Sequence, residues 1–165
     1  MLRSAVIYGA NSSGKSNLLL AMLKMKLIIL NSGKFSSSDN IDVTPFLLST
    51  DTENVPSFFE ILFLIGDQRY RYGFEVDKNK VHSEWLYVLN KNKEKDLFVR
   101  IENKIEVSKE FVEGKGLEPK TKPNTLFLSL VDQLNGEISK KIIKWVNILD
   151  IESGIDHSKM RNLIY

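Results

Sequence analysis

Gly9-Ala10-Asn11-Ser12-Ser13-Gly14-Lys15-Ser16 follows the apolar run Ala5-Val6-Ile7-Tyr8 and precedes Asn17-Leu18-Leu19-Leu20-Ala21-Met22. The stretch has the form G-x-x-x-x-G-K-S, and it sits where a strand would end and a helix begin. Glycine makes up about 7% of average sequences, so a chance match is on the order of one in 10⁴ to 10⁵ per starting position. The pattern predicts a strand over residues 4–8, a phosphate-binding loop, and a helix over residues 15–30. Gly9 and Gly14 lack a Cβ, which permits a sharp turn and close approach of backbone to an anion. The amides from Ser13 to Ser16 then form a cradle, and the first turn of the helix aims its unpaired N–H groups at the same charge. Lys15 is the compact cation for the β and γ phosphates, a role that the planar fork of Arg fills poorly. The Ser16 hydroxyl is the candidate Mg²⁺ ligand. The candidate nucleotide-binding set is Gly9, Asn11, Ser12, Ser13, Gly14, Lys15, Ser16 and Asn17. Ser12 and Ser13 contribute backbone, and Lys15 doubles as the candidate catalytic group.

The remaining composition narrows the class. With 165 residues, 42% of them hydrophobic, the chain can bury one sizeable core. It contains no cysteine, so disulfides and thiolate metal sites are excluded, which fits a reducing compartment. The apolar runs at residues 18–23 and 27–30 are split by Lys24 and Lys26 and fall short of the ~20 residues of a membrane span. The N-terminus does not have the form of a signal peptide. These features describe a soluble, cytoplasmic protein without a membrane partner. The charge is nearly balanced, with 23 basic and 21 acidic residues. Between Lys78 and Lys122 the lysines are interleaved with acids, Glu84, Glu102 and Glu113 among them, which reads as a mixed, solvated surface. Nucleic acid is a conceivable partner that charge does not announce.

Apolar positions of the first helix, Leu18, Leu19, Met22, Met25 and Ile29, cover a broad face suited to packing on a sheet. Residues 34–56 turn to Ser, Asp, Asn, Thr and Pro and read as a mobile connection or a lid over the nucleotide. Residues 57–108 read as antiparallel strands with short turns. Tyr70, Tyr72, Phe74 and Val76 alternate with Arg69, Arg71, Gly73 and Glu75, and Trp85 and Tyr87 lie opposite Glu84, Leu86 and Val88. These aromatics fit cross-strand packing better than a base-stacking platform. Residues 90–95 form a polar turn, and 97–101 with 104–107 a short hairpin. Helices follow at 125–134 and 137–149, the second with Ile138, Ile142, Trp145, Val146 and Leu149 on one stripe. Residues 150–165 are polar and irregular.

Hydrolysis of a nucleotide needs, besides the loop, an acid at the end of a second buried strand and a group that orients water. Asp67 follows an apolar run but is better explained as part of a hairpin turn, and Asp150 follows a run of helical period. His82 and His157 are each isolated.

The loop residues 9–17 resemble the G-x-N-x-S-G-K-S-N version found in RecF, SMC and the bacterial AAA-family ATPases of the overcoming-lysogenization-defect type. Tyr70-Arg71-Tyr72-Gly73-Phe74, Ser83-Glu84-Trp85-Leu86 and Asn124-Thr125-Leu126-Phe127-Leu128-Ser129 are similar to the N-terminal half of that last group. The resemblance covers about residues 2–150. It implies an α/β fold of α+β character, an ABC-ATPase-like lobe with an antiparallel meander and C-terminal helices. It also implies ATP and Mg²⁺ as cofactors held by the Walker A residues Lys15 and Ser16, and a background in phage defence or DNA transactions. The family's acidic strand, signature motif and switch histidine lie further along than Tyr165. The expectation is therefore a single partial ATPase domain over 1–165, completed by a homodimer or a second polypeptide. Two other classes share some of these features. A GTPase or small-molecule kinase would carry the same loop, although Asn79-Lys80-Val81-His82 and Asn103-Lys104-Ile105-Glu106 lack the Asp of a guanine motif. A nonenzymatic module would use the strands to bind nucleic acid or a partner.

Overall fold

In the computed structural model, which describes residues 5–43, 55–90 and 93–151, alternating strand sequences form one antiparallel sheet. Its strands are β1 (Ser57–Ile65), β2 (Gln68–Val76), β3 (Val81–Asn90), β4 (Lys93–Ile101) and β5 (Lys104–Val107), in the order of the chain. The turns dictate the register. Gly66 takes a φ of 60°, and the two-residue link sets Ile65 opposite Gln68. A matching link sets Ile101 opposite Lys104, with Glu102 at φ 52°. Asn90 belongs to β3 and residues 93–96 to β4, so the expected polar turn at 90–95 is strand on both sides of residues 91–92, which lie outside the described residues. Residues 93–96 pair with 87–90 of β3, and the ladder overrides their polarity. A register shift opposite Leu86 and Tyr87 leaves an extra residue in β4, and the buried side chains Leu97 and Phe98 are adjacent in sequence for that reason.

One face of the sheet packs on helices α1 (Lys15–Asn31), α2 (Phe127–Gln133) and α3 (Glu137–Ile148). The core joins Tyr72, Phe74, Leu86 and Phe98 of the sheet to Phe127, Val131, Ile142 and Val146 of the helices. Phe98 meets the edge of Phe127 at 5.0 Å, and Phe63 stacks on Trp145 at 4.4 Å. Between α2 and α3, Asn135 adopts φ 68°, which lets the Gly136 N–H donate to the Val131 carbonyl at 2.9 Å and close the helix.

The architecture is α+β: among the described residues every strand pair is antiparallel, so the expected antiparallel meander and the helices after it are present, and no parallel α/β pairing accompanies them. The strand expected ahead of the loop is absent over residues 5–8, and Ser4 lies outside the described residues. A β-rich sequence becomes a strand only where a neighbouring strand pairs its backbone, and no described strand lies beside these residues. Helix α1 spans the expected range, but its cover differs along its length. Met25, Ile28 and Ile29 are buried, whereas Leu18 and Leu20 are exposed.

Residues 35–43 carry no helix or strand and are not free to act as a lid. The Lys122 ammonium donates to the Phe35 carbonyl at 2.6 Å, and the Asn124 amide donates to the carbonyls of Ser36 and Asp39, each at 2.8 Å. They sit at the far end of α1, about 25 Å from the loop by helical rise over its 17 residues. Residues 44–54 of the expected lid, and His157 with the rest of 152–165, fall outside the described residues.

Candidate nucleotide-binding site

The loop is built from two left-handed residues. Ser12 has φ 63° and Gly14 φ 86°, and the helix starts at Lys15 with no side-chain cap on its first turn. The Ser13 N–H donates to the Ala10 carbonyl at 3.3 Å, and the first helical bond runs from the Leu18 N–H to the Gly14 carbonyl at 3.0 Å. Among the described residues, the N–H groups of Gly14, Lys15, Ser16 and Asn17 meet no protein acceptor. Four neighbouring donors at the positive end of a helix favour an anion. The Lys15 ammonium folds over the loop, donating to the carbonyl oxygens of Gly9, at 2.6 Å, and Ala10, and to Ser13 Oγ at 3.3 Å. Gly9, Asn11, Ser12, Ser13, Gly14, Ser16 and Asn17 are exposed, and Lys15 is half-buried. The donor set therefore fits a phosphate chain: unpaired amides, one mobile cation held at the loop, and a free hydroxyl on Ser16.

The acids considered as metal partners are elsewhere. Asp67 lies in the turn between β1 and β2, and Asp150 follows α3. Among the described residues, no three His, Cys, Asp or Glu side chains stand together as a metal site.

Sequence reading placed Glu84 on a solvated surface, and the structure buries it completely. Its carboxylate accepts from the Phe127 N–H at 2.6 Å, the Leu128 N–H at 3.0 Å and the Tyr72 hydroxyl at 2.9 Å, capping the start of α2 from the sheet. The buried Arg100 guanidinium stands 3.9 Å away and donates to the carbonyls of Glu102, Thr125 and Pro123. Burial pushes the Glu84 carboxyl above the ordinary range, against the opposing pull of Arg100 and the three donors. Burial likewise lowers Arg100 and raises Tyr72 well above the usual phenol. Glu113 repeats the device for α3, accepting from the N–H groups of Ile138 and Ser139, each at 2.9 Å. The available signal was register: Glu84 shares its strand face with Leu86 and Val88, and a charge on an apolar face calls for a buried partner.

His82 is not isolated either. Its ring meets Asp77 at 2.6 Å and Glu102 at 3.1 Å beside Lys80. Burial pushes Asp77 up, but bonds from His82, Asn79 and Lys80 outweigh it and leave the carboxyl below its usual value. Glu102 is lowered first by its bond to Lys80.

An unpaired amide cluster with a lysine at a helix start is an arrangement that favours an anion such as a phosphate. The family model described as "AAA domain, putative AbiEii toxin, Type IV TA system" matches residues 4–144, and the chain belongs to that family. Membership makes it an AAA-type, ATPase-like domain. No curated protein and no solved structure matches it. Among the described residues, no helix is long and apolar enough to cross a membrane.

Proposed function

We propose that this chain binds Mg-ATP at residues 9–17, as one half of an ATPase site of the ABC-like branch. The carrying observation is the cluster of unpaired amides from Gly14 to Asn17 beneath the Lys15 ammonium. In this reading the backbone of Asn11, Ser12, Ser13 and Gly14 wraps the phosphates, and Lys15 leaves its loop carbonyls to pair with the β and γ groups. Ser16 would hold Mg²⁺, which when bound neutralises charge between those phosphates. The acidic and water-orienting groups come from a further polypeptide segment or a partner. Two observations support that completion: the exposed Leu18 and Leu20 on α1, and the exposed, unpaired run Val6-Ile7-Tyr8. Apolar surface of this kind on both sides of a loop calls for a covering layer.

Calorimetric titration of the whole chain tests the binding. Lys15→Ala is expected to weaken Mg-ATP by about 10- to 100-fold, the value of a charge-assisted contact. No Mg-ATP binding, or binding indifferent to Lys15, would sink the proposal. Intrinsic turnover is expected to be weak, and a robust ATPase rate from the isolated chain would redirect attention to Asp67 and Asp150. A role in phage defence rests on the G-x-N-x-S-G-K-S-N form of the loop and on its overcoming-lysogenization-defect resemblance. If that role holds, phage protection conferred by the gene disappears with Lys15→Ala, and protection that survives the substitution rejects it.

A further inference from the structure

The two edges of the sheet are finished differently. Strand β5 is four residues long and carries the exposed pair Lys104 and Glu106. Short length and charge are the usual guards of a free edge. Strand β1 is nine residues, Ser-Phe-Phe-Glu-Ile-Leu-Phe-Leu-Ile, with no Lys, Arg or Pro, and no described strand lies beyond it. On its outer face Phe58 and Leu62 are each 59% exposed. On its inner face an apolar groove runs beside Ile61, walled by Met22 and Met25 of α1 and by Trp145, Val146 and Leu149 near α3.

The geometry points to a second copy of this chain as the occupant, with β1 pairing antiparallel to its twin about a twofold axis at Ile61. The inward face of the strand is self-complementary in that register. Facing inward, Ile61 meets Ile61 of the partner subunit, and Phe59 meets Phe63 of the partner subunit. Facing outward, Phe58 lies opposite Leu64 of the partner subunit, and Glu60 opposite Leu62 of the partner subunit. Every neighbour already in the sheet is antiparallel, so the twofold continues the existing pattern into ten strands. Glu60 is the only charge on β1, and Arg71 at 3.1 Å and the Trp85 indole at 2.9 Å hold it on its own sheet. The pairing is independent of the nucleotide loop.

Sedimentation equilibrium of the whole chain, with substitutions at Leu62, reads the register directly. Leu62 is exposed in the monomer, so its variants fold. Leu62→Glu sets a carboxylate opposite Glu60 twice per dimer and is expected to weaken association by roughly fivefold to tenfold, whereas Leu62→Lys retains it. The chain has no cysteine, so Ile61→Cys is expected to form a disulfide-linked dimer under mild oxidation, and Glu106→Cys on β5 is not. A monomer throughout the micromolar range overturns the proposal. So does a dimer weakened equally by Leu62→Glu and Leu62→Lys, or one cross-linked through residue 106. Lys15→Ala leaves dimerisation unchanged, so failure of the nucleotide reading and failure of this one are read separately.

Discussion

Residues 5–22 and residues 55–151 are built on opposite terms. The second region buries an aromatic core, caps α2 from the sheet through Glu84 and α3 from the turn at 112–114 through Glu113, and Arg100 satisfies three backbone carbonyls from within. The first region has an exposed apolar run, a bare loop and two helical turns in which Leu18 and Leu20 are exposed. The segment that carries the motif is the one with least internal support: its first-turn amides meet no protein acceptor among the described residues, and its apolar flanks are exposed. The body holds the C-terminal half of α1 in place, with the Ser129 hydroxyl donating to the Ile29 carbonyl at 2.7 Å. The N-terminal half projects from that anchor.

Substitutions that separate the two regions should differ most in stability. Glu84→Ala leaves Arg100 buried without its counter-charge and frees the first amides of α2, and is expected to cost about 3–5 kcal/mol in urea unfolding. A loss below about 1 kcal/mol would remove the tether from the account. Phe127→Ala empties the site between Phe98 and Phe111 and should cost about 3–5 kcal/mol by the same measurement, with the spread set by how far the core collapses.

Acid should discriminate within the body. Asp77 and Glu102 are lowered in the folded chain, so the stability they contribute is present above about pH 4 and is lost as pH falls through their folded values. Glu84 is raised, so the sign reverses: its protonation favours the folded chain, and that contribution fades as pH rises through its folded value. Replacing Glu102 with Gln is therefore expected to flatten the acid limb of the stability curve, as read from urea midpoints across the carboxylate range. An unchanged limb would assign the acid response to other groups. The smallest effect falls in the first region, where Leu18→Gln should move stability by less than about 0.5 kcal/mol, because half of that side chain already faces water. A large loss there would mean that the body covers α1 more fully than described.

The legible parts of this chain were the locally determined ones. Alternation in Tyr70, Tyr72, Phe74 and Val76 located β2, Gly66 located its turn, and the stripe through Ile142 and Val146 located α3. The G-x-x-x-x-G-K-S spacing placed a loop ahead of a helix, and the chain does run through a loop into α1 at Lys15. What escaped depended on partners distant in sequence. Glu84 reads as one more charge in a lysine-rich stretch until α2, 43 residues later, lays its amides against it. His82 gains Asp77 and Glu102 only through the β2–β3 turn and the β4–β5 turn. Residues 5–8 have strand composition without a described strand beside them, a condition that composition does not report.

Hydrogen exchange with and without Mg-ATP, on the whole chain and on Lys15→Ala, tests the division most directly. The account predicts protection concentrated in residues 9–22, little change in residues 55–151, and no protection in Lys15→Ala. Protection spread over the sheet with residues 9–22 unaffected, or identical in the Lys15→Ala chain, would contradict it.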